Sequence, residues 1–223
     1  MAGDTVIFDV DGTLMDTNYH HAIAWYRALR SRDVTVPVWR IHRAIGMGGD
    51  KLVADVAGDA VEAEHGDALR ARWKDEYDRL IDEVVPFAGA HDLLRAAHEQ
   101  GRRVALASSG DSAHVERYLD LLDARTLADE WTTAQDAEDS KPAPDLIGVA
   151  LRRVGGGAAV VVGDSTWDCL AAGRAGLPSV AVRTGGFSEE ELRESGAVRV
   201  FESLPELRDA LADLPVRAPR STG

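Results

Sequence analysis

The chain has 223 residues, of which 45% are hydrophobic, and it carries a formal net charge of −13 at pH 7. This length and apolar content can bury a substantial core, either as one domain with an insertion or as two small domains. The acidic charge argues against a nucleic-acid partner, because such binding needs a basic surface. No apolar run is long enough to span a bilayer, and the start does not resemble a secretory signal, so we expect a cytoplasmic protein without a membrane partner.

The first predicted element is a short apolar strand from Thr5 to Phe8 that runs into two aspartates, Asp9 and Asp11. Side chains two residues apart in an extended chain point the same way, so both carboxylates should occupy one small volume. Two carboxylates repel, and a fold tolerates them when a cation neutralises them or when a reaction needs them in different protonation states. Thr13 is expected to hold the following turn by local hydrogen bonding, although a purely structural turn role explains it equally well.

The next region, residues 17–85, has apolar side chains at helical spacing and no strand pattern. Trp25 and Leu29 belong to one such helix, and Trp73 and Tyr77 belong to another. We therefore predict a helical cap domain at 17–85, inserted into a catalytic core made of residues 1–16 and 86–223.

A second apolar strand, Val104 to Ala107, leads into Ser108, Ser109 and Gly110. The Ser108 hydroxyl and the backbone N–H groups of Ser109 and Gly110, near the start of a helix, can bind an oxyanion. A Ser-Ser-Gly sequence is also a common connection between a strand and a helix, so both interpretations stay open.

Lys141 stands directly before Pro142 in a loop that should begin the helix through Leu151. Proline restricts the backbone around this lysine. A lysine held in place suits a point-charge role between a phosphate and a carboxylate. The alternative is an ordinary solvated lysine.

A fully apolar strand, Val160 to Val162, ends in Gly163-Asp164-Ser165, and Asp168 follows four residues after Asp164. Oxygen ligands at strand tips favour a hard cation such as Mg²⁺. Asp168 has a second explanation, as a carboxylate in the first turn of a helix.

The alternation of strands and helices after residue 85 predicts an α/β fold with a doubly wound, mostly parallel, Rossmann-like sheet. Further strands are expected around Trp131–Thr133 and at Ser179–Val182, with Gly185–Phe187 as a loop after the last core strand. The four polar segments then lie at the carboxyl ends of strands, where such sheets bind ligands.

Together and in this order, the four segments resemble the motif set of the haloacid dehalogenase superfamily, whose signature Asp-x-Asp-Gly-Thr is matched by residues 9–13. The resemblance implies that Asp9 is a nucleophile that takes a phosphoryl group. It also implies that Mg²⁺ is bound by Asp9, by the backbone carbonyl of Asp11 and by Asp164, with Asp168 as a further candidate. Dehalogenases of the superfamily lack the second aspartate, which makes that activity a poor match.

The chemistry agrees with these roles. Attack by Asp9 on a phosphate monoester requires screening of negative charge, which Mg²⁺, Lys141 and the Ser108 loop would supply together. Asp11 would protonate the departing alkoxide and later deprotonate the attacking water. We therefore expect a Mg²⁺-dependent phosphatase that acts on a small phosphorylated metabolite, as a monomer or a small homo-oligomer.

The segment 16–21 followed by Trp25 looks like the cap entrance of the phosphoglycolate phosphatase and β-phosphoglucomutase branch, with His21 matching that branch's cap histidine. Lys51, which follows a glycine-rich cap loop, and Lys74, on the second predicted cap helix, are candidates for substrate recognition. A packed histidine and solvated surface lysines are the competing explanations for these three residues.

Two other functions stay open. Mutases of this branch carry a lysine and an arginine around the cap glycine loop, where this chain has Ile45 and Gly49, which weakens the mutase interpretation. A catalytically inactive phosphate-binding regulatory protein is the third hypothesis, and the complete set of site residues argues against it.

Overall fold

The computed structural model describes residues 4–136 and 139–219. The chain forms two compact units. The first, here called the core unit, contains the residues up to Asp16 together with those from Pro86 onward. The second, here called the helical unit, is Thr17–Val85. Within the described residues, every helix is too short or too polar to cross a lipid bilayer.

The core unit is built on a six-stranded sheet whose paired strands are all parallel, in the order β3-β2-β1-β4-β5-β6. All five residues of both β1 and β4 are buried, which explains why these two segments are so apolar. The predicted α/β class with a parallel sheet is confirmed. The strands are β1 (Thr5–Asp9), β2 (Arg103–Ala107), β3 (Glu130–Thr132), β4 (Ala159–Gly163), β5 (Ser179–Val182) and β6 (Ala197–Phe201).

The strand register brings the polar segments to one edge of the sheet. Asp9 at the end of β1 is paired with Ala107 at the end of β2, and Phe8 is paired with Val162 of β4. The chain order of the strands reverses beside β1, and ligands bind at such a switch point in open α/β sheets.

The helices of the core unit bury their apolar faces on this sheet. Ile147 and Ala172, from two different helices, share a hydrophobic cluster with Ile7 and Val161 of the central strands. The helices of the core unit are α5 (Ala90–Glu99), α6 (Ser112–Leu121), α7 (Asp145–Arg153), α8 (Thr166–Arg174), α9 (Glu189–Glu194) and α10 (Leu204–Asp209), with short 3-10 helices at Ala134–Asp136, Arg183–Gly185 and Leu211–Asp213.

One prediction about the sheet was wrong. β5 is not the last core strand, because β6 pairs with it beyond the Gly185–Phe187 segment. β6 lies at the sheet edge and contains the exposed Val198 and the partly exposed Arg199. Its alternation is therefore weaker than that of a central strand, and the sequence pattern did not reveal it.

The helical unit contains only helices as regular elements, as expected. Its core includes an aromatic stack: the rings of His21 and Tyr77 lie 4.0 Å apart between centroids, and those of Trp25 and Trp73 lie 5.3 Å apart. These residues come from the first and the last long helix, which the stack therefore joins. The helices are α1 (Asn18–Arg30), α2 (Val38–Ala44), α3 (Gly49–Ala57) and α4 (Asp59–Asp78), with a short 3-10 helix at Ile81–Glu83.

Candidate active site

Three buried carboxylates meet at the carboxyl edge of the sheet. Asp9 ends β1, Asp164 directly follows β4, and Asp168 lies in the first turn of α8. One carboxylate oxygen from each lies within 4.8 Å of the others, and all three residues are buried. An oxygen-only set of this kind is suited to a hard divalent cation.

Thr13 connects two of these carboxylates. Its Oγ1 lies 3.0 Å from Asp9 Oδ2 and 2.8 Å from Asp164 Oδ1. The turn after β1 makes this possible, because Gly12 has a left-handed φ of 79° and the Gly12 N–H donates to the Met15 carbonyl. A hydroxyl has a single hydrogen, so Thr13 donates to one carboxylate at a time.

Lys141 is buried between two of the aspartates. Its Nζ donates to Asp9 Oδ1 and lies 2.6 Å from Asp168 Oδ1. Burial alone would lower the pKa of the ammonium group, but the charges and hydrogen bonds of Asp168 and Asp9 outweigh it and raise the pKa above its ordinary value. Lys141 therefore stays charged and compensates part of the negative charge of the site.

Asp168 has both carboxylate oxygens engaged. While Oδ1 faces Lys141, Oδ2 accepts from the Ser165 hydroxyl at 2.6 Å and from the Ser165 N–H at 3.1 Å. The Ser165 hydroxyl also accepts from the Asp168 N–H at 3.4 Å, which completes a capping box at the start of α8. The expectation of a first-turn carboxylate is met, and a metal-ligand role for Asp168 stays a prediction.

Ser165 was not among the predicted site residues. The spacing of Ser165 and Asp168, with an acidic residue three positions after a serine, is the sequence signal that would have identified the pair.

Ser108 directly follows β2 and joins the site through Asp11. Its buried hydroxyl donates to Asp11 Oδ2 at 2.9 Å, while the Gly110 N–H donates to Ser108 Oγ at 2.9 Å. The expectation that the Gly110 N–H points at an oxyanion is therefore not met, since this short turn directs that N–H group to Ser108. Ser109 is half-buried in the same loop, and its predicted anion-binding role stays a prediction.

Burial and the crowding of negative charge together set the electrostatics of the site. The pKa of Asp9 lies well above its ordinary value, first because the group is buried and also because Asp168, Asp164 and Asp11 repel its charge, while Lys141 opposes the shift. When Asp9, Asp164 and Asp168 are all ionised, they and the Lys141 ammonium together carry a net charge of −2. A divalent cation has the charge that would balance this group.

Two predicted site residues belong to the helical unit. His21 is buried and stacks on Tyr77 and, at 5.6 Å between ring centroids, on Trp73. Lys51 is half-buried in the first turn of α3. Substrate binding by either residue stays a prediction.

Comparison with known proteins places this geometry in a family. The model of haloacid dehalogenase-like hydrolases matches residues 4–176. A phosphoglycolate phosphatase from Caulobacter vibrioides is 30% identical, over 97% of this chain and 94% of that protein. A fructose-1-phosphate phosphatase from Escherichia coli is 31% identical, over 80% of this chain and 95% of that protein.

A solved structure supports the same family assignment. The crystal structure of a hydrolase from Pseudomonas syringae matches with a TM-score of 0.89 and 31% identity, over 95% of this chain and 99% of that one. The match therefore includes both units. On the family model, the relatives and the shared fold, the chain belongs to the haloacid dehalogenase-like hydrolases, in the branch that includes phosphoglycolate phosphatases.

Proposed function

We propose that this protein is a Mg²⁺-dependent phosphatase that hydrolyses a small phosphate monoester through an aspartyl phosphate on Asp9. Two contacts of Asp9 carry the proposal. Lys141 donates to its carboxylate, and the Thr13 hydroxyl lies within hydrogen-bond distance of both Asp9 and Asp164. A nucleophilic carboxylate in a buried site needs positive charge around it, and this arrangement provides one cation and a place for another.

The donor set fits Mg²⁺. Asp9 and Asp164 share the Thr13 hydroxyl, which donates to only one of them at a time, whereas Asp168 Oδ2 accepts from both the hydroxyl and the N–H of Ser165 and Oδ1 faces Lys141. We therefore assign Asp9 and Asp164 as side-chain ligands and Asp168 as a partner of Lys141. When bound, Mg²⁺ would screen the charges of the carboxylates and the phosphate and so lower the barrier to attack.

In the first half-reaction, a carboxylate oxygen of Asp9 attacks the phosphorus atom and the bond from phosphorus to the leaving oxygen breaks. Asp11 gives a proton to the departing alkoxide. The Ser108 hydroxyl, which donates to Asp11 Oδ2, orients that carboxyl group. Lys141 holds Asp9 in place and attracts the transferred phosphoryl oxygens.

In the second half-reaction, water attacks the phosphorus atom and the bond from phosphorus to the Asp9 oxygen breaks, which releases phosphate and regenerates the carboxylate. Asp11 accepts the proton of that water and returns to its initial state. One carboxyl group thus serves as acid and then as base.

We propose a small organic phosphate as substrate, with phosphoglycolate as the first candidate and sugar phosphates as the second. The names of the relatives support this class: they include phosphoglycolate phosphatases from three bacteria and a fructose-1-phosphate phosphatase. The helical unit would act as the cap domain that selects the leaving group.

A panel assay tests the proposal. Phosphate release is measured from phosphoglycolate, fructose 1-phosphate, β-glucose 1-phosphate and a nucleoside monophosphate, with Mg²⁺ and with a chelator. We expect Mg²⁺-dependent release that disappears in Asp9→Asn. Conversion of β-glucose 1-phosphate to glucose 6-phosphate without phosphate release would identify a mutase, and phosphate binding without turnover of any substrate would identify a regulatory protein.

The cap proposal has its own test, the Lys51→Ala variant. We expect KM for the best substrate to rise severalfold while kcat changes little, because a lost ground-state contact weakens binding without changing the chemical step. Lys74→Ala is measured beside it, because Lys74 is the second candidate lysine of the same unit, half-exposed and 3.9 Å from Asp78. An unchanged KM in Lys51→Ala would remove Lys51 from substrate recognition.

A further inference from the structure

Gly185 lies outside the four polar segments, yet it contacts the metal-ligand candidate Asp164. It ends the short helical turn Arg183–Gly185 after β5 and is buried. A Cβ built at position 185 would overlap Asp164 Oδ2 and lie 2.7 Å from Asp164 Cγ. Carbon atoms do not approach this closely, so the Asp164 carboxylate occupies the space that a side chain at 185 would fill.

Backbone conformation does not explain the glycine. Gly186, the next residue, has a left-handed φ of 81°, whereas Gly185 is not among the glycines with positive φ. An L-amino acid could therefore adopt the backbone angles of position 185. What requires glycine is the closeness of Asp164.

Rotation of the Asp164 side chain would not relieve the overlap. The same Cβ would lie 2.8 Å from the backbone carbonyl oxygen of Asp164, which is fixed at the end of β4. Side chains at 185 therefore have to displace either the end of β4 or the turn after β5. The first displacement moves the Asp164 carboxylate relative to Thr13 Oγ1, which lies 2.8 Å from it, and the second removes the backbone against which that carboxylate packs.

We propose that Gly185 is a positioning residue. It holds the Asp164 carboxylate within hydrogen-bond distance of the Thr13 hydroxyl, which also contacts Asp9, and so in a position to ligate the metal. The inference rests on the proposed function only in taking Asp164 as a metal ligand. Gly163, at the end of β4, has a similar close contact with a carboxylate, because a Cβ there would lie 2.6 Å from Asp168 Oδ2. The carboxylates of Asp164 and Asp168 are thus packed against glycine backbone in the turn after β5 and at the end of β4.

The first experiment measures Mg²⁺ binding to the folded protein by calorimetry, in wild type and in Gly185→Ala. We expect the Mg²⁺ Kd to rise at least tenfold in Gly185→Ala at a temperature well below its Tm. Gly173→Ala in α8 is the matched control, because a Cβ there meets nothing within 4 Å, and its Kd should equal that of wild type. An unchanged Kd in Gly185→Ala would overturn the proposal.

A second experiment stays informative even if Gly185→Ala folds poorly. The loss of Tm caused by Gly185→Ala is measured in wild type and in an Asp164→Ala background, without metal. Overpacking should lower Tm by about 5 °C in wild type and clearly less when the carboxylate is absent. Equal losses in both backgrounds would contradict the proposal. Neither experiment measures phosphate release, so failure of the proposed reaction would be seen separately in the panel assay.

Discussion

Thr13 and Asp164 stand 151 residues apart in the chain, and their side chains are joined by a hydrogen bond of 2.8 Å. This bond connects the turn after β1 to the tip of β4, the two central strands of the sheet. It fixes how far apart the carboxylates of Asp9 and Asp164 can lie, since Thr13 Oγ1 also lies 3.0 Å from Asp9 Oδ2.

Thr13→Val should weaken Mg²⁺ binding about 10- to 100-fold, because a hydrogen bond to a charged group contributes about 1.5–3 kcal/mol. Valine has nearly the shape of threonine, so the fold should be kept. Thr13→Ser is the control, since it retains the hydroxyl and should retain most of the affinity. Calorimetric Mg²⁺ titration measures both. Equal Kd values for the valine and serine variants would show that the hydroxyl does not organise the site.

Lys141→Met should abolish most activity and destabilise the metal-free protein. Removal of one partner of a buried ion pair costs about 3–5 kcal/mol, and here two carboxylates, Asp9 and Asp168, lose their counter-ion. Chemical denaturation at pH 8 measures the loss, which should shrink at pH 5 as carboxylates take up protons. Lys74→Met, at a half-exposed ion pair, should change stability by less than about 1 kcal/mol. Similar losses in both variants would contradict the assigned role of Lys141.

Asp9→Asn should be inactive but, without metal, more thermostable than wild type at pH 8. The folded-state pKa of Asp9 lies well above its ordinary value, chiefly because of burial. Its contribution to stability is therefore fully present below the unfolded-state pKa of about 3.9 and is lost as pH rises through the raised value. The Tm advantage of Asp9→Asn should grow from pH 5 to pH 8 and shrink with saturating Mg²⁺. A pH-independent difference in Tm would show that ionisation of Asp9 does not destabilise the folded protein.

Ser165→Ala should cost about 1 kcal/mol of stability as a lost N-cap. It should also lower kcat about 10-fold, because Asp168 loses a partner that holds it against Lys141. Ser188→Ala is a matched control, since Ser188 forms a capping box with Glu191 at the exposed start of α9. Denaturation and steady-state kinetics should show similar stability losses but a kcat effect in Ser165→Ala only. Equal kcat values would limit Ser165 to a capping role.

The predictable part of the site follows from local patterns. The apolar strands before Asp9, Ser108 and Asp164 were identifiable because strands buried on both faces are continuously apolar. The edge strand β6 was missed because exposed and charged residues interrupt its pattern. The direction of the Gly110 N–H was also missed, since it depends on where the Ser108 hydroxyl accepts within one short turn.

By itself, the sequence determined the α/β class, the helical character of residues 17–85 and the residue types that gather at the strand ends, because these depend on periodicity and on short spacings. Tertiary structure alone decided which atoms meet. Lys141 contacts both Asp9 and Asp168, and the missing side chain of Gly185 leaves space for Asp164. Both contacts arise because side chains from distant segments are packed into one small buried volume. Such packing depends on the register of neighbouring strands, which no local pattern records.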